Sequence, residues 1–236
     1  MNKIISLGLF ITFLNFTSTV QAQTNSFSGW LVLSHIQNLS PKFNIGFDAQ
    51  LRSKNNLDGI RNIVIRPGIN YYFNKAFSTG IGYSYISTQT DKDPPLKPIL
   101  LENIVWEQAL VTSHIKNVLV FSRVRLEQRF IEQQTQDIFS QRLRLFNKIF
   151  IPLSKSNNMN NGIYLALQDD ILFNIQNKSD LNTHSFDQNR ALVGFGHRFN
   201  NNLSSELGYQ MIAIKGKTEN TNRHILQVTF FTKLEK

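Results

Sequence analysis

The chain has 236 residues, with 25 Lys and Arg against 16 Asp and Glu, a formal net charge of +9 and no cysteine. The missing thiols exclude disulfides, thiolate zinc sites and cysteine nucleophiles, and the length is that of one domain. A basic excess can mark a nucleic-acid binder, but the start of the chain points elsewhere.

Residues 1–22 read as an export signal. Lys3 supplies the positive region, residues 4–16 the apolar region, and Val20-Gln21-Ala22 a small-x-Ala cleavage site that makes Gln23 the first residue of the mature domain, 23–236. This segment is too short and too interrupted for a spanning helix, and no later run of 18 apolar residues predicts one. With no cysteine after the signal, no lipoprotein anchor is expected. An exported chain rarely meets nucleic acid. The remaining basic excess suits lipopolysaccharide phosphates or small anionic solutes, or is simply a solvated surplus.

From residue 27 onward the pattern has a period of two. Phe43, Ile45, Phe47, Ala49 and Leu51 oppose Asn44, Gly46, Asp48, Gln50 and Arg52. Ile63, Ile65, Pro67, Ile69 and Tyr71 oppose Arg66, Gly68 and Asn70, and Phe77, Ile81 and Tyr83 oppose Ser78, Gly80, Gly82 and Ser84. The sharpest stretch is 121–130, where Arg123, Arg125, Glu127 and Arg129 recur at every second position between Val124, Leu126, Gln128 and Phe130. Only an extended strand collects residues i, i+2 and i+4 on one side. Alternation continues through Arg142 and Arg144, Arg190 and Arg198, Glu206 and Gln210. Eleven extended segments follow, near 27–36, 43–52, 61–73, 77–88, 101–112, 117–131, 139–151, 162–174, 186–199, 203–214 and 222–234.

Most of these segments exceed the ~5–6 residues of an ordinary strand and reach the ~9–11 that a tilted membrane strand requires. Tight turns at 74–76 and 200–202 alternate with longer polar loops at 55–59, 91–98, 133–137, 176–185 and 215–222, a pattern of short turns on one rim and long loops on the other. Aromatic residues near strand ends, among them Trp30, Phe43, Tyr71, Phe73, Trp106, Phe130, Phe139 and Phe199, are expected to form two interfacial girdles. The expected fold is all-β: a membrane-spanning antiparallel up-and-down barrel of ten to twelve strands. An even number is favoured, because first and last strands must also run antiparallel; either segment 27–36 is not a full wall strand, or one segment is split or missed.

A soluble ligand-carrying barrel also alternates, with apolar side chains inward, but normally has eight strands. A wider wall encloses a space that apolar side chains cannot fill and a polar lining can hydrate. The apolar set is therefore assigned outward to lipid and the charged set to the lumen. The predicted lumenal bases are Arg52, Arg66, Arg123, Arg125, Arg129, Arg142, Arg144, Lys148, Arg190 and Arg198; the predicted lumenal acids are Asp48, Glu107, Glu127, Asp170 and Glu206. Either this set is a basic track that passes or holds anions, since arginine forks suit carboxylate and phosphate, or it is an ion-pair network that fills a narrow lumen. Alternation sends Asp169 to the face opposite Asp170, and a bare charge facing lipid is expected near a rim.

No catalytic residue, metal or cofactor is assigned. The five histidines are dispersed, and no metal spacing, phosphate loop or nucleophile elbow is present. His197 and Ser205 could meet across the 199–203 hairpin, as such pairs often do by chance. In order along the chain stand Trp30, Gln50-Leu51-Arg52, Gly82-Tyr83, Trp106-Glu107-Gln108, Arg123-x-Arg125-x-Glu127-x-Arg129, Arg142-Leu143-Arg144, Asn189-Arg190, Glu206-Leu207-x-Tyr209 and His224-Ile225. This order resembles the bacterial domain-of-unknown-function 2490 family of uncharacterised exported barrels. It departs at Glu102-Asn103-Ile104, where Glu-His-Arg is expected. The resemblance implies an outer-membrane location and a barrel, with no activity attached. The functional expectation is a barrel with an anion-attracting lumen, acting as a narrow channel or binding barrel. The alternatives are a structural or adhesive surface barrel with a plugged lumen, and a lipid-acting enzyme.

Overall fold

A computed structural model describes residues 23–93, 95–153 and 161–234; the expected export signal lies outside them. Eleven strands follow one another: β1 (Gln23–Asn38), β2 (Phe43–Ser53), β3 (Ile60–Tyr72), β4 (Phe77–Gln89), β5 (Ile99–Ile115), β6 (Val118–Ile131), β7 (Ile138–Pro152), β8 (Gly162–Asn174), β9 (Phe186–Arg198), β10 (Leu203–Ile214) and β11 (Asn220–Leu234). Each of the eleven segments expected from alternation is a strand. Sequence neighbours pair antiparallel, and the sheet closes on itself.

Closure corrects the expected even count. With eleven strands in a meander, the first and last run the same way. The seam between β1 and β11 is accordingly parallel, from Gln23 opposite Asn220 to Gln37 opposite Leu234. A parallel ladder forms a continuous set of slanted hydrogen bonds, so an odd barrel closes without an open edge. β1 is a full wall strand of 16 residues. It begins on the rim that carries the connections 54–59, 90–98, 132–137, 175–185 and 215–219, and β11 ends on the opposite rim with the turns 39–42, 73–76, 116–117 and 199–202.

The long loops brace one another. Lys97 N–H donates to Gln134 Oε1 at 2.7 Å, and Gln134 Nε2 donates back to Lys97 O at 2.9 Å. Lys54 pairs with Asp91. On the short-turn rim, Asn74 Oδ1 accepts from the N–H groups of Ala76 and Phe77, and Asn200 Oδ1 accepts from Asn202 and Leu203. The Asn side chain thus supplies the acceptor a tight turn lacks.

The wall presents its apolar side chains outward. Ile81 is 63% exposed, Phe195 61% and Leu207 55%. Phe43, Tyr71, Phe73 and Phe77 form a chain of ring contacts at the short-turn rim, with centroids 5.0–5.3 Å apart. Phe130 with Phe139 and Phe173 with Phe186 pair at the long-loop rim. The two tryptophans depart from the expected girdles: both point inward. Trp106 is buried because its indole occupies space left by glycines on two neighbouring strands. A Cβ on Gly68 would lie 2.3 Å from the Trp106 ring, and one on Gly82 would lie 2.2 Å from it. Tyr164 uses Gly196 in the same way.

Candidate functional site: the charged lumen

The inward positions of β6 and β7 build the centre of the lumen. Arg125 stands opposite Arg144 and Glu127 opposite Arg142. Glu127 Oε2 accepts from Arg142 Nε at 2.8 Å, and its Oε1 accepts from an Arg144 terminal nitrogen at 2.9 Å. Arg144 also donates to Asp170 of β8, and Arg142 donates to Asp187 of β9 at 3.3 Å. One buried carboxylate, 1% exposed, therefore joins two guanidiniums, and each of those reaches a further carboxylate. Beside this hub Arg129 donates to Glu102 at 2.5 Å, Lys148 to Glu206 at 2.7 Å and Arg66 to Asp48 at 3.2 Å. Buried charges need such partners, because desolvation of an ion costs several kcal/mol and only pairing with good geometry offsets it.

The remaining arginines are held differently. Arg125 donates twice to Gln108 Oε1, at 2.8 and 3.2 Å, and stacks 4.1 Å from the Trp106 centroid. Arg52 donates to Gln50 Oε1 at 2.6 and 3.0 Å and stacks 3.9 Å from Trp30. Arg190 donates to Gln188 Oε1 at 3.0 Å and stands 5.9 Å from the same Trp30 ring. Arg123 stacks 4.6 Å from Phe146, and its buried Nε has no hydrogen-bond partner. Amide oxygens and ring faces orient these four guanidiniums without neutralising them. Among the described residues, none of the four forms an ion pair with a carboxylate within 4.0 Å.

The ten predicted bases, Arg198 included, all lie on inward positions of their strands. Of the predicted acids, Asp48, Glu127, Asp170 and Glu206 face inward. Glu107 does not. It is exposed on the outer wall, where it accepts from Gln128 Nε2 at 3.0 Å. The inversion follows from Trp106: once the indole turns inward, Glu107 must turn out. Glu102, Ile104 and Gln108 then face the lumen, so Glu102 is a lumenal acid that alternation with Trp106 outward conceals. Asp187 is a second such acid. A register shift pairs Leu172 with Gln188 but Phe173 with Phe186, leaving Asp187 as the extra residue of a bulge, and a bulge re-aims one side chain. Asp169 faces outward as expected but stands mid-strand in β8 rather than near a rim, and accepts from Asn189 Nδ2 at 2.6 Å. Its partner amide, not a place at the rim, satisfies it.

His197 and Ser205 stand directly opposite each other, and the His197 ring packs on Phe199 at 4.7 Å. Among the described residues no group of three or more His, Asp or Glu is placed to hold a metal ion, and no helix is long and apolar enough to cross a membrane.

Fold and lumen together define the class: a closed eleven-strand β-barrel with an apolar exterior and a guanidinium-rich interior. The family model "Protein of unknown function (DUF2490)" matches residues 27–223, and the chain belongs to that family. No curated protein and no solved structure matches it.

Proposed function

We propose that this chain is an exported outer-membrane barrel whose lumen attracts and holds small anionic solutes, as a narrow channel or a binding barrel. Membrane placement is supported by the exterior. Monomeric proteins in water rarely expose a contiguous apolar patch above a few hundred Å², whereas this wall is apolar on every strand and banded by aromatic residues at both rims. In hydrocarbon a closed barrel is one of the two backbone arrangements that leave no N–H or C=O unpaired. Its immediate partners are then membrane lipid along the wall and lipopolysaccharide around it.

The observation that carries the anion reading is the set Arg52, Arg123, Arg125 and Arg190, inward guanidiniums with no carboxylate partner. Such a surplus of one sign in a confined space draws counter-ions. Reconstitution in planar bilayers tests it. The expected result is anion-over-cation preference that falls in the Arg123→Ala/Arg125→Ala variant; cation preference, or a preference untouched by the substitution, contradicts it.

A second reading, a structural barrel with a plugged lumen, is favoured by one observation: Glu127, Arg142, Arg144, Asp170 and Glu206 are almost fully buried. Absence of conductance at every voltage supports it over the channel. The lipid-acting enzyme has no such observation behind it.

A further inference from the structure

We infer that the lumen contains a discrete phosphate-binding site formed by Arg52 and Arg190 around the face of Trp30. The inference rests on the anion-holding reading above and assigns it a location and a ligand class. Trp30 stands directly opposite Arg52 in the β1–β2 ladder. β9 brings Arg190 to the same ring from across β10 and β11. Two like charges therefore share one indole, at 3.9 and 5.9 Å from its centroid. The nearby acids are already engaged: Asp48 accepts from Arg66 and Gln50, and Asp170 accepts from Arg144.

The donor geometry selects the ligand. Each guanidinium has five N–H donors. Gln50 takes two from Arg52 and Gln188 takes one from Arg190; the others meet no protein acceptor among the described residues. The two glutamines, each two residues before its arginine on the same strand, fix the forks in place. A carboxylate can also join two guanidiniums, as Glu127 does with Arg142 and Arg144, but a phosphate brings a third oxygen and a second negative charge to two forks that no carboxylate neutralises. Trp30, Arg52 and Arg190 keep part of their surface exposed, unlike Arg142 and Arg144. Arg52 is the penultimate residue of β2 and Arg190 the fifth of β9, which places the site toward the long-loop rim.

The chain has two tryptophans, so Trp106→Phe leaves Trp30 as the single reporter. Fluorescence of this variant in detergent is titrated with inorganic phosphate, glycerol phosphate, acetate and chloride. A saturable change with inorganic phosphate or glycerol phosphate, weakened about tenfold or more by Arg52→Gln or Arg190→Gln and only partly restored by lysine at the same position, is the expected result. Lysine keeps the charge but loses the fork. No saturable response to either phosphate, an equal response to acetate, or a response that survives both glutamine substitutions overturns the site. An anion-selective bilayer conductance without a phosphate response overturns this site alone. A phosphate response in a barrel that does not conduct supports the site and removes conduction.

Discussion

Gly68 and Trp106 are size-matched across two strands of the wall: a Cβ on Gly68 would come within 2.3 Å of the indole Cη2. The glycine therefore permits the inward tryptophan, and the inward tryptophan sets which side of β5 faces the lumen. Gly68→Ala is expected to destabilise the barrel by about 1–3 kcal/mol through overpacking. In a Trp106→Leu background most of that penalty should vanish. Urea midpoints of the four proteins in detergent form the double-mutant cycle that measures it.

Glu127 and Glu107 occupy opposite faces of the sheet, and their substitutions should behave differently. Glu127→Gln leaves Arg142 and Arg144 short of a buried counter-charge, and breaking such a pair costs about 3–5 kcal/mol. Glu107→Gln keeps a hydrogen-bonding partner for Gln128 on the outer wall and is expected within about 0.5 kcal/mol of the parent. Equal effects at the two positions would refute the assigned orientation of β5.

Asp187 reaches Arg142 only because of the bulge in β9. Deleting Asp187 would restore regular pairing, with Phe186 and Gln188 kept opposite Phe173 and Leu172, and would remove that contact. The expected readout is a lower urea midpoint than Asp187→Asn alone produces. A deletion no worse than the point substitution would argue that the bulge is not needed to aim Asp187.

An odd number of strands puts the start of β1 and the end of β11 on opposite rims. Epitopes inserted in 90–98 and 215–219 are expected to be reached by antibody on intact cells together with one placed just before β1, whereas an epitope in 73–76 should require permeabilised cells. Shared accessibility of the 73–76 and 90–98 epitopes would contradict a spanning barrel with this topology.

Much of this architecture is legible in the chain itself. Alternation locates all eleven strands because each wall residue faces one of two very different environments, and it places the arginines of β2, β3, β6, β7 and β9 on the inner face. It fails where both faces are apolar. In β5 the run Ile104-Val105-Trp106 carries no parity, and only the glycines of β3 and β4, far away in sequence, decide that the indole points inward. It fails again at Asp187, because a bulge shifts the period by one without changing the composition. The strand number is legible by count, but closure is not: the parallel seam between β1 and β11 is a long-range pairing that no local pattern encodes. The partners of Arg52 and Arg190 were hidden for a similar reason, since Trp30 read as an interfacial aromatic and not as a lumenal one.

The most direct test of the whole account uses the natural absence of cysteine. Single-cysteine proteins with Ile81→Cys or Phe195→Cys on the outer wall, and Arg66→Cys on the inner, are spin-labelled in bilayers, and collision with oxygen is compared with collision with a water-soluble nickel complex. Labels at 81 and 195 should collide with oxygen and be shielded from nickel, and the label at 66 should meet the nickel complex. Nickel access at 81 and 195 equal to that at 66 would contradict an apolar wall facing lipid around a charged, hydrated lumen.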